Sequence, residues 1–582
     1  MSTEPATSLA TPGGASAPPP ASKQGWLSPV WLPLLIGLLA FFTVTGGQIT
    51  WTDNIAWLER GDPATHYLGW LFFRASPWQW PVGLNPDYGL ELASTIVYAD
   101  AIPLLALGFK TLSNWLPQPF QYFGLWVLAC FVLQAWFGWL LMTLFTPHRA
   151  LRALGCAFFA FSPVMLWRLH PEIGHLSLVG QFYILAALYL VLRPDAGWRV
   201  GRWGALLATA ALTHAYLLTL AGLLWLADLV QRQRCGELST PKARQEFFGL
   251  TTACGLLCWQ AGYFGVGAGV ITGGYGHYGT HLLTLLDPGR SDYGLWSQVL
   301  PDLPGDAQQH EGFGYLGLGL LSLLPWASLA LWRRRTAVRR MLQRHRTLGM
   351  LLVLLTLLAI THRISLGHAT WALPLPKEWV IVLGTFRASA RLFWPVYYAI
   401  FLCLLVLIIS GYTVRSASTL LALALGLQLL DTQGGWSVIR QHLMQPNGSA
   451  WATPLQSPFW SQAAQRYTRV RSLPSGFTPH WAIVADYAAR HGMATDAVYL
   501  ARLSQAGVMA SSDIAQQVLQ QGRFEPQTLY VLDDATLATL RPALVRPQDC
   551  LTRIDGLNVL APGWSNHSPC PSSVLPASGT TR

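Results

Sequence analysis

The sequence predicts an α-helical membrane protein with about 11 transmembrane helices and a small C-terminal α/β domain. Of its 582 residues, 52% are hydrophobic and only 11% are charged, whereas charged residues make up about 25% of an average soluble domain. After residue 431 the continuous apolar runs give way to mixed segments such as PHWAIVADYAARHG and TLYVLDDATLATLRP. Short helical and strand-like patterns separated by turns are typical of an α/β domain.

Residues 1–28 are predicted to be a disordered cytoplasmic tail. They consist largely of Ala, Ser, Thr, Pro and Gly, so burial of apolar side chains cannot offset the entropy lost on ordering. The segment has neither a positively charged start nor a cleavage site, which argues against a cleaved signal peptide.

Residues 29–431 are predicted to form one transmembrane domain. A spanning helix needs about 20 apolar residues, and the apolar segments that we predict to be spans are 31–50, 120–145, 153–167, 176–192, 203–213, 215–230, 247–265, 313–332, 347–361, 393–414 and 417–431. The segments on either side of Thr213 and His214 are either two short helices or one continuous helix. Segment 101–116 contains Lys110, which favours a re-entrant or interfacial helix.

The basic residues predict how the chain is oriented. Arg and Lys concentrate in the connections that follow the even-numbered spans, including the run WRRRTAVRRMLQRHR, and such connections are cytoplasmic. The N-terminus is then cytoplasmic, and both the first outer loop, residues 51–119, and the domain at 432–582 lie outside the cytoplasm. The same distribution accounts for the net charge of +11, so it argues against a nucleic-acid partner.

Two cysteines lie in the predicted outer domain. Because that compartment is oxidising, we expect a disulfide between Cys550 and Cys570. Two unpaired thiols are the alternative.

The first outer loop holds the candidate catalytic residues. Asp62 stands between a glycine and a proline that fix a turn, so a rigid backbone presents its carboxylate. Asp53 is the second candidate. His66 follows Asp62 by four residues and shares its face if a helix begins there. An Asp before a proline is also a common helix start, so capping is the alternative role for Asp62.

Basic side chains near the later spans are candidates for binding phosphate. Arg387 and Arg391 are four residues apart in FRASARLFWP and are predicted to share one face of the helix that enters the tenth span. Arginine binds phosphate through two parallel N–H groups, while snorkelling to the membrane interface is the alternative. Weaker candidates are Arg74, Arg168, Arg363 and Lys377.

The string HPEIGH brings His170, Glu172 and His175 together in the sequence. These side chains are candidates to bind a divalent cation or to pair with a phosphate group. Their spacing matches no strong metal signature, so a divalent cation is only a weak candidate cofactor.

Several longer strings carry a resemblance to a known family. They are GDPATHYLGWLFFR, PVGLNPDYGLELASTIVYADAIPLLAL, HLSLVGQFYILAALYL, THAYLLTL, GGYGHYGTHLL, EGFGYLGLG and FRASARLFWPVYY. They cover most of residues 50–430 and resemble an uncharacterised bacterial family of membrane proteins of unknown function. The arrangement of spans, long acidic first outer loop and outer C-terminal domain also resembles the GT-C class of glycosyltransferases, which use polyprenyl-phosphate sugars.

The GT-C resemblance implies a reaction and roles for particular residues. In that class an acidic residue of the first outer loop is the general base, a role that falls to Asp62 and then to Asp53. The resemblance further implies that Arg387 and Arg391 hold the phosphate while His66 and Trp70 line the site. Unlike the protein-mannosylating members, this chain has Pro63 after the acidic residue instead of a second acidic residue.

The expected partners are a polyprenyl-phosphate-linked sugar, membrane lipid, and a glycan, lipid or protein acceptor on the outer side of a bacterial inner membrane. One alternative is a transporter or flippase for a lipid-linked glycan, which requires charged groups near the bilayer midplane. The apolar segments contain almost no ionisable residue, which argues against it. The other alternative is a non-catalytic assembly protein on a GT-C-like fold.

Overall fold

The computed structural model describes residues 31–194, 198–265, 267, 275–289, 291–304 and 307–571. The predicted tail, residues 1–28, lies outside these residues. The described chain is mainly helical, with a short hairpin and one five-stranded sheet.

The regular elements described between residues 31 and 261 are all helices. The α-helices are α1 (Trp31–Thr45), α2 (Gly61–Ala75), α3 (Pro103–Thr111), α4 (Phe123–Thr143), α5 (Arg149–Ala160), α6 (Pro163–Leu166), α7 (Phe182–Leu192), α8 (Val200–Ala211), α9 (Ala215–Arg234) and α10 (Thr240–Ala261). Helices α1 and α4 approach closely at Gly37, where a Cβ atom would lie 2.8 Å from the Cα of Val132. Small residues permit such close packing between apolar helices.

The middle part adds helices and one hairpin. Its elements are α11 (Leu318–Ser322), α12 (Leu324–Arg344), α13 (Arg346–Ile360), β1 (Arg363–Leu366), β2 (Ala369–Ala372), α14 (Lys377–Leu383), α15 (Trp394–Gly411), α16 (Val414–Asp431) and α17 (Gln433–Leu443). Strands β1 and β2 pair antiparallel. Helix α16 is tied to the start of α11, because Asp431 accepts hydrogen bonds from the Tyr315 hydroxyl at 2.7 Å and the Leu318 backbone N–H at 2.9 Å.

Several of these helices suit a membrane. Within the described residues, four helical stretches are long and apolar enough to span a bilayer: Phe123–Thr143, Arg149–Leu169, Ser389–Gly411 and Val414–Asp431. Shorter apolar helices are Trp31–Thr45, Leu176–Leu192 and Arg346–Ile360. A helical membrane protein is therefore confirmed, while the number of 11 spans stays a prediction.

The structure also decides between the alternatives for two ambiguous segments. Helices α8 and α9 are separate, and the Nδ1 of His214 caps α9 by accepting the Tyr216 backbone N–H at 3.1 Å. Helix α3 has nine residues, which is too short to cross a bilayer.

The C-terminal part combines a sheet with helices. Its elements are α18 (Pro458–Ala464), β3 (Arg469–Leu473), α19 (Trp481–Arg490), β4 (Ala494–Thr495), α20 (Gln505–Gln521), β5 (Thr528–Leu532), α21 (Asp534–Thr539), β6 (Cys550–Ile554) and β7 (Leu557–Ala561). The strand order is β4-β3-β5-β7-β6, with β3 parallel to both neighbours and β7 antiparallel to both of its own. Cys550 and Cys570 are joined in a disulfide.

The C-terminal part packs against α2 and the loop that follows it. Arg471 on β3 is buried and forms ion pairs with Glu91 of the loop at 2.7 Å and with Asp496 at 3.3 Å. The rings of Tyr67 on α2 and Trp451 stack with their centroids 6.0 Å apart. These contacts fix the position of α2, which carries Asp62 and His66.

Candidate active site

Asp62 lies in the first turn of α2. The helix begins at Gly61, which has a φ of 61°, and Arg60 is its N-cap residue. The Asp62 carboxylate is partly exposed and forms no hydrogen bond or ion pair with any described residue. The capping role is therefore wrong, because Asp62 accepts no N–H of the helix.

Charged side chains from distant parts of the chain act on Asp62. Burial raises its pKa to about 7, and the negative charges of Asp100 and Glu311 contribute to the increase. The positive charges of Arg391 and Arg168 act in the opposite direction. Although the side chain is partly exposed, it lies deep enough among other groups for the loss of hydration to dominate.

Glu311 joins two arginines into a buried triad. Its Oε2 accepts from the Arg168 Nη1 at 2.8 Å and the Arg391 Nε at 3.0 Å, while its Oε1 accepts from the Arg391 Nη2 at 2.6 Å. The two guanidinium groups hold the pKa of Glu311 well below its usual value. The triad therefore carries one excess positive charge close to Asp62.

The two arginines also rest on aromatic rings. The guanidinium carbon of Arg168 is 5.2 Å from the centre of the Trp394 ring, and that of Arg391 is 4.9 Å from the centre of the Tyr216 ring. These contacts stabilise the cations and fix their orientation.

A second group consists of histidines around Asp100. The Nε2 of His175 is 3.3 Å from Asp100 Oδ2, and the Nε2 of His214 is 3.4 Å from Asp100 Oδ1. The ring of His66 lies 5.0 Å from that of His175. Burial lowers the pKa of His66 and of His214 to about 3 and that of His175 well below its usual value. All three imidazoles are therefore neutral at pH 7.

The structure changes the predicted relation between Arg387 and Arg391. Ala388 has a φ of −91° and a ψ of 68°, so helical geometry begins only at Ser389. The prediction that the two arginines share one helix face is therefore wrong. Arg391 is buried on Glu311, whereas Arg387 is exposed and donates to the Tyr278 hydroxyl at 3.0 Å.

Other predicted site residues lie outside the triad and the histidine group. Trp70 is fully buried and donates its indole N–H to the Phe120 carbonyl at 3.0 Å. Arg74 donates to the backbone carbonyls of Ser113, Leu116 and Pro117, and Asp53 is exposed. Arg363 begins β1, and Lys377 is exposed at the start of α14.

The predicted cation set His170, Glu172 and His175 is divided. The Nε2 of His170 lies 2.9 Å from the Tyr293 carbonyl oxygen, and Glu172 is exposed. Only His175 reaches an acidic side chain, that of Asp100. The cause is the turn at Gly174, whose N–H bonds to the His170 carbonyl at 2.8 Å and which directs the two imidazoles to different neighbours.

Three residues of these groups, Asp100, His214 and Glu311, had no role predicted from the sequence. Asp100 lies in VYADAIPLL, His214 in THAYLLTL and Glu311 at the start of EGFGYLGLG, and all three strings belong to those that carry the family resemblance. The signal that could have indicated these residues is that each is a polar residue inside one of these strings. Their partners lie far away in the sequence, 80 and 143 positions from Glu311 for Arg391 and Arg168, so spacing could not reveal these contacts.

The fold and the site define a helical membrane protein with a buried charged cluster next to one unpaired carboxylate. The chain belongs to the family described as "Domain of unknown function (DUF6311)", whose model matches residues 34–433. The model of the DUF6311 C-terminal domain matches residues 459–562. These matches confirm the prediction of a family of unknown function.

The chain was also compared with curated proteins and with solved structures. A search of curated proteins gives no match. The chain is similar to the apo crystal structure of ArnT from Cupriavidus metallidurans, with a TM-score of 0.46 and 13% sequence identity, over 94% of this chain and 100% of that chain.

Proposed function

We propose that the protein is a membrane glycosyltransferase that moves a sugar from a polyprenyl-phosphate donor to an acceptor hydroxyl outside the cytoplasm. One observation carries the proposal: Asp62 presents a carboxylate without a partner among the described residues, next to a triad with excess positive charge. The resemblance of the sequence to the GT-C class, in which such a residue is the base, supports the type of reaction.

In the proposed reaction Asp62 takes the proton of the acceptor hydroxyl. The acceptor oxygen then forms a bond to the anomeric carbon of the sugar as the bond from that carbon to the phosphate oxygen breaks. The leaving lipid phosphate keeps the electron pair. A base with a pKa of about 7 suits this step, because general bases are most effective when their pKa lies near the working pH.

Arg391 and Arg168 are the proposed partners of the leaving phosphate. Arg391 uses its Nε and Nη2 on Glu311, and its Nη1 has no bond to a described residue. A donor phosphate that accepts from this Nη1 gains a charge-assisted hydrogen bond as negative charge develops. Arg387, which is exposed, then contacts the donor outside the buried triad instead of beside Arg391.

The proposed topology places the active site on the outer side of a bacterial inner membrane. The charge pattern of the connections supports this orientation. The ion pair between Arg471 and Glu91 supports the same side for the C-terminal part and the first outer loop, because the two residues touch. We propose that the C-terminal part orients the acceptor.

The position of the buried arginines favours the transferase over a transporter. Arg168 is the penultimate residue of the stretch Arg149–Leu169, and Arg391 is the third residue of Ser389–Gly411. Charged groups of transporters lie near the bilayer midplane, whereas these two lie at the ends of their stretches.

Analysis of envelope glycans and lipid-linked sugars in a deletion strain tests the proposal. We expect the deletion to remove one sugar modification and to accumulate its lipid-linked donor. Complementation with wild type or with Asp53→Asn should bring back the modification and return the donor to its normal level. Asp62→Asn, at equal protein level, should neither bring back the modification nor lower the level of the donor. Full complementation by Asp62→Asn would remove Asp62 from the mechanism and leave a non-catalytic role as the better explanation.

A further inference from the structure

We propose that His66, Asp100 and His175 bind one divalent transition-metal ion, with Zn²⁺ as the ion that fits best. The three residues come from helix α2, from the segment before α3 and from the turn after Leu169. One ligand atom from each lies within 4.8 Å of the others. This set differs from the HPEIGH set and shares only His175 with it.

The spacing of the donor atoms suits a metal ion. Two ligands about 2.0 Å from a tetrahedral ion are about 3.3 Å apart, and the His175 Nε2 and Asp100 Oδ2 are 3.3 Å apart. Two imidazoles and one carboxylate leave one position of a tetrahedral site open. That composition is typical of catalytic zinc sites, in contrast to the closed four-ligand sites that only stabilise a fold.

Neighbouring groups orient one ligand ring, that of His175, and contact the Asp100 carboxylate. The Nδ1 of His175 is 3.0 Å from the Ser177 hydroxyl, which leaves Nε2 directed at Asp100. His214 accepts the Tyr216 N–H through Nδ1, and its Nε2 lies 3.4 Å from Asp100 Oδ1. Such outer partners fix the tautomer and orientation of metal ligands.

One unsatisfied buried atom also favours a bound ion. The Nδ1 of His66 is buried and has no hydrogen-bond partner among the described residues. A buried polar atom without a partner costs free energy. Coordination of a metal ion would give the buried His66 ring a polar partner.

A role for the ion rests on the proposed function, whereas its binding does not. His66 is one helical turn beyond Asp62 on α2, and the charge of Asp100 acts on Asp62. The open position of the ion then takes an oxygen of the donor phosphate. The ion would then share with the triad of Arg168, Glu311 and Arg391 the neutralisation of the phosphate's negative charge.

Metal titration of the full-length protein in detergent tests the site. After treatment with a chelator, the protein is titrated with Co²⁺ followed by optical absorption and with Zn²⁺ followed by calorimetry. We expect one ion per chain and visible bands of tetrahedral Co²⁺. We expect Asp100→Asn and His175→Ala to abolish stoichiometric binding, and His214→Ala to weaken it by about 10- to 100-fold.

Two variants serve as controls for the titration. His281→Ala removes another buried imidazole, which pairs with Asp287 at 2.8 Å. His170→Ala removes a histidine of the HPEIGH string that lies outside the proposed site. Both variants should bind the ion as wild type does. Because His175→Ala can fail to fold, the nearly isosteric Asp100→Asn is compared with wild type for its unfolding midpoint without metal. Zn²⁺ should raise that midpoint in wild type and not in Asp100→Asn.

Two results would overturn the site: less than stoichiometric binding by wild type, or unchanged binding by a folded Asp100→Asn. The same titration separates this inference from the proposed transfer. Asp62→Asn should bind the ion normally while it loses the glycan modification. Normal binding in a protein whose deletion alters no glycan would leave the metal site standing and refute the transferase.

Discussion

Asp62 is a carboxylate whose ionisation opposes the stability of the fold. Its pKa rises to about 7 because burial removes hydration and because Asp100 and Glu311 repel its charge more than Arg391 and Arg168 attract it. Groups of this kind concentrate at functional sites, where stability is lost in exchange for reactivity. Because its pKa is raised in the folded protein, the ionisation of Asp62 can be measured through the pH dependence of stability.

We predict that wild type loses stability relative to Asp62→Asn as the pH rises from about 4 to about 7. In this range the folded protein keeps a proton on Asp62 that the unfolded chain releases, since the folded pKa is the higher one. Below this range the difference between the two proteins is constant. Thermal unfolding of both in metal-free detergent solution measures the effect, and parallel pH profiles for the two would contradict it.

The charge of Glu311 is needed to keep Arg168 and Arg391 buried. We predict that Glu311→Gln destabilises the protein by about 3–5 kcal/mol, because it leaves buried cations without their counter-ion. Glu172→Gln, which changes an exposed carboxylate on a nearby turn, should have almost no effect. Denaturant or thermal unfolding compares the two variants, and an equal effect of both would show that the triad adds no stability.

At the scale of single elements, the start of α2 depends on a glycine. Gly61 has a φ of 61°, and a Cβ atom there would lie 3.2 Å from the Glu172 carbonyl oxygen. Left-handed backbone costs a side-chain-bearing residue roughly 1–2 kcal/mol. The first turn of α2 therefore positions Asp62 through a backbone conformation that only glycine adopts without strain.

We predict that Gly61→Ala lowers stability by about 1–2 kcal/mol and weakens complementation of the deletion strain. Gly222→Ala is the matched control, since Gly222 lies within α9 and a Cβ atom there meets nothing within 4 Å. That replacement should be neutral or stabilise by up to about 1 kcal/mol. A Gly61→Ala protein as stable and active as the control would show that this turn is not constrained.

At the scale of the whole molecule, a buried arginine connects the C-terminal sheet to the first outer loop. Arg471 binds Glu91 of the loop, and within the C-terminal part it binds Asp496 and Glu525. Helices α19 and α2 also lie next to each other. The position of Asp62 in α2 therefore depends on a part of the chain that begins hundreds of residues later.

We predict that Arg471→Met loosens this contact, because three carboxylates lose their common cation. Limited proteolysis should cut the chain between α17 and α18 faster in this variant, and complementation should weaken. Arg469→Met replaces an exposed arginine of the same strand and should behave as wild type. Equal cleavage rates for both variants would mean that the Arg471 ion pairs do not hold the two parts together.

The sequence correctly predicted a protein of apolar membrane helices, and it located the turn that carries Asp62. Long apolar stretches such as Phe123–Thr143 form helices wherever they occur, because each satisfies its own backbone hydrogen bonds. The turn around Asp62 was visible because Gly61 and Pro63 restrict the backbone locally. The relation of Arg387 to Arg391 was predicted wrongly, since the helix starts only at Ser389 and nothing local to FRASARLFWP sets that start.

By itself, the sequence determined that this is a helical membrane protein of the DUF6311 family. It also determined that the segment after the first apolar stretch is rich in acidic residues, with Asp62 near its start. Only the tertiary structure decided which groups act on that carboxylate. Asp100, Glu311 and Arg391 are separated by tens to hundreds of residues and meet only after the helices pack. Electrostatic interactions depend on distance in space and on burial, and neither quantity can be read from positions along the chain.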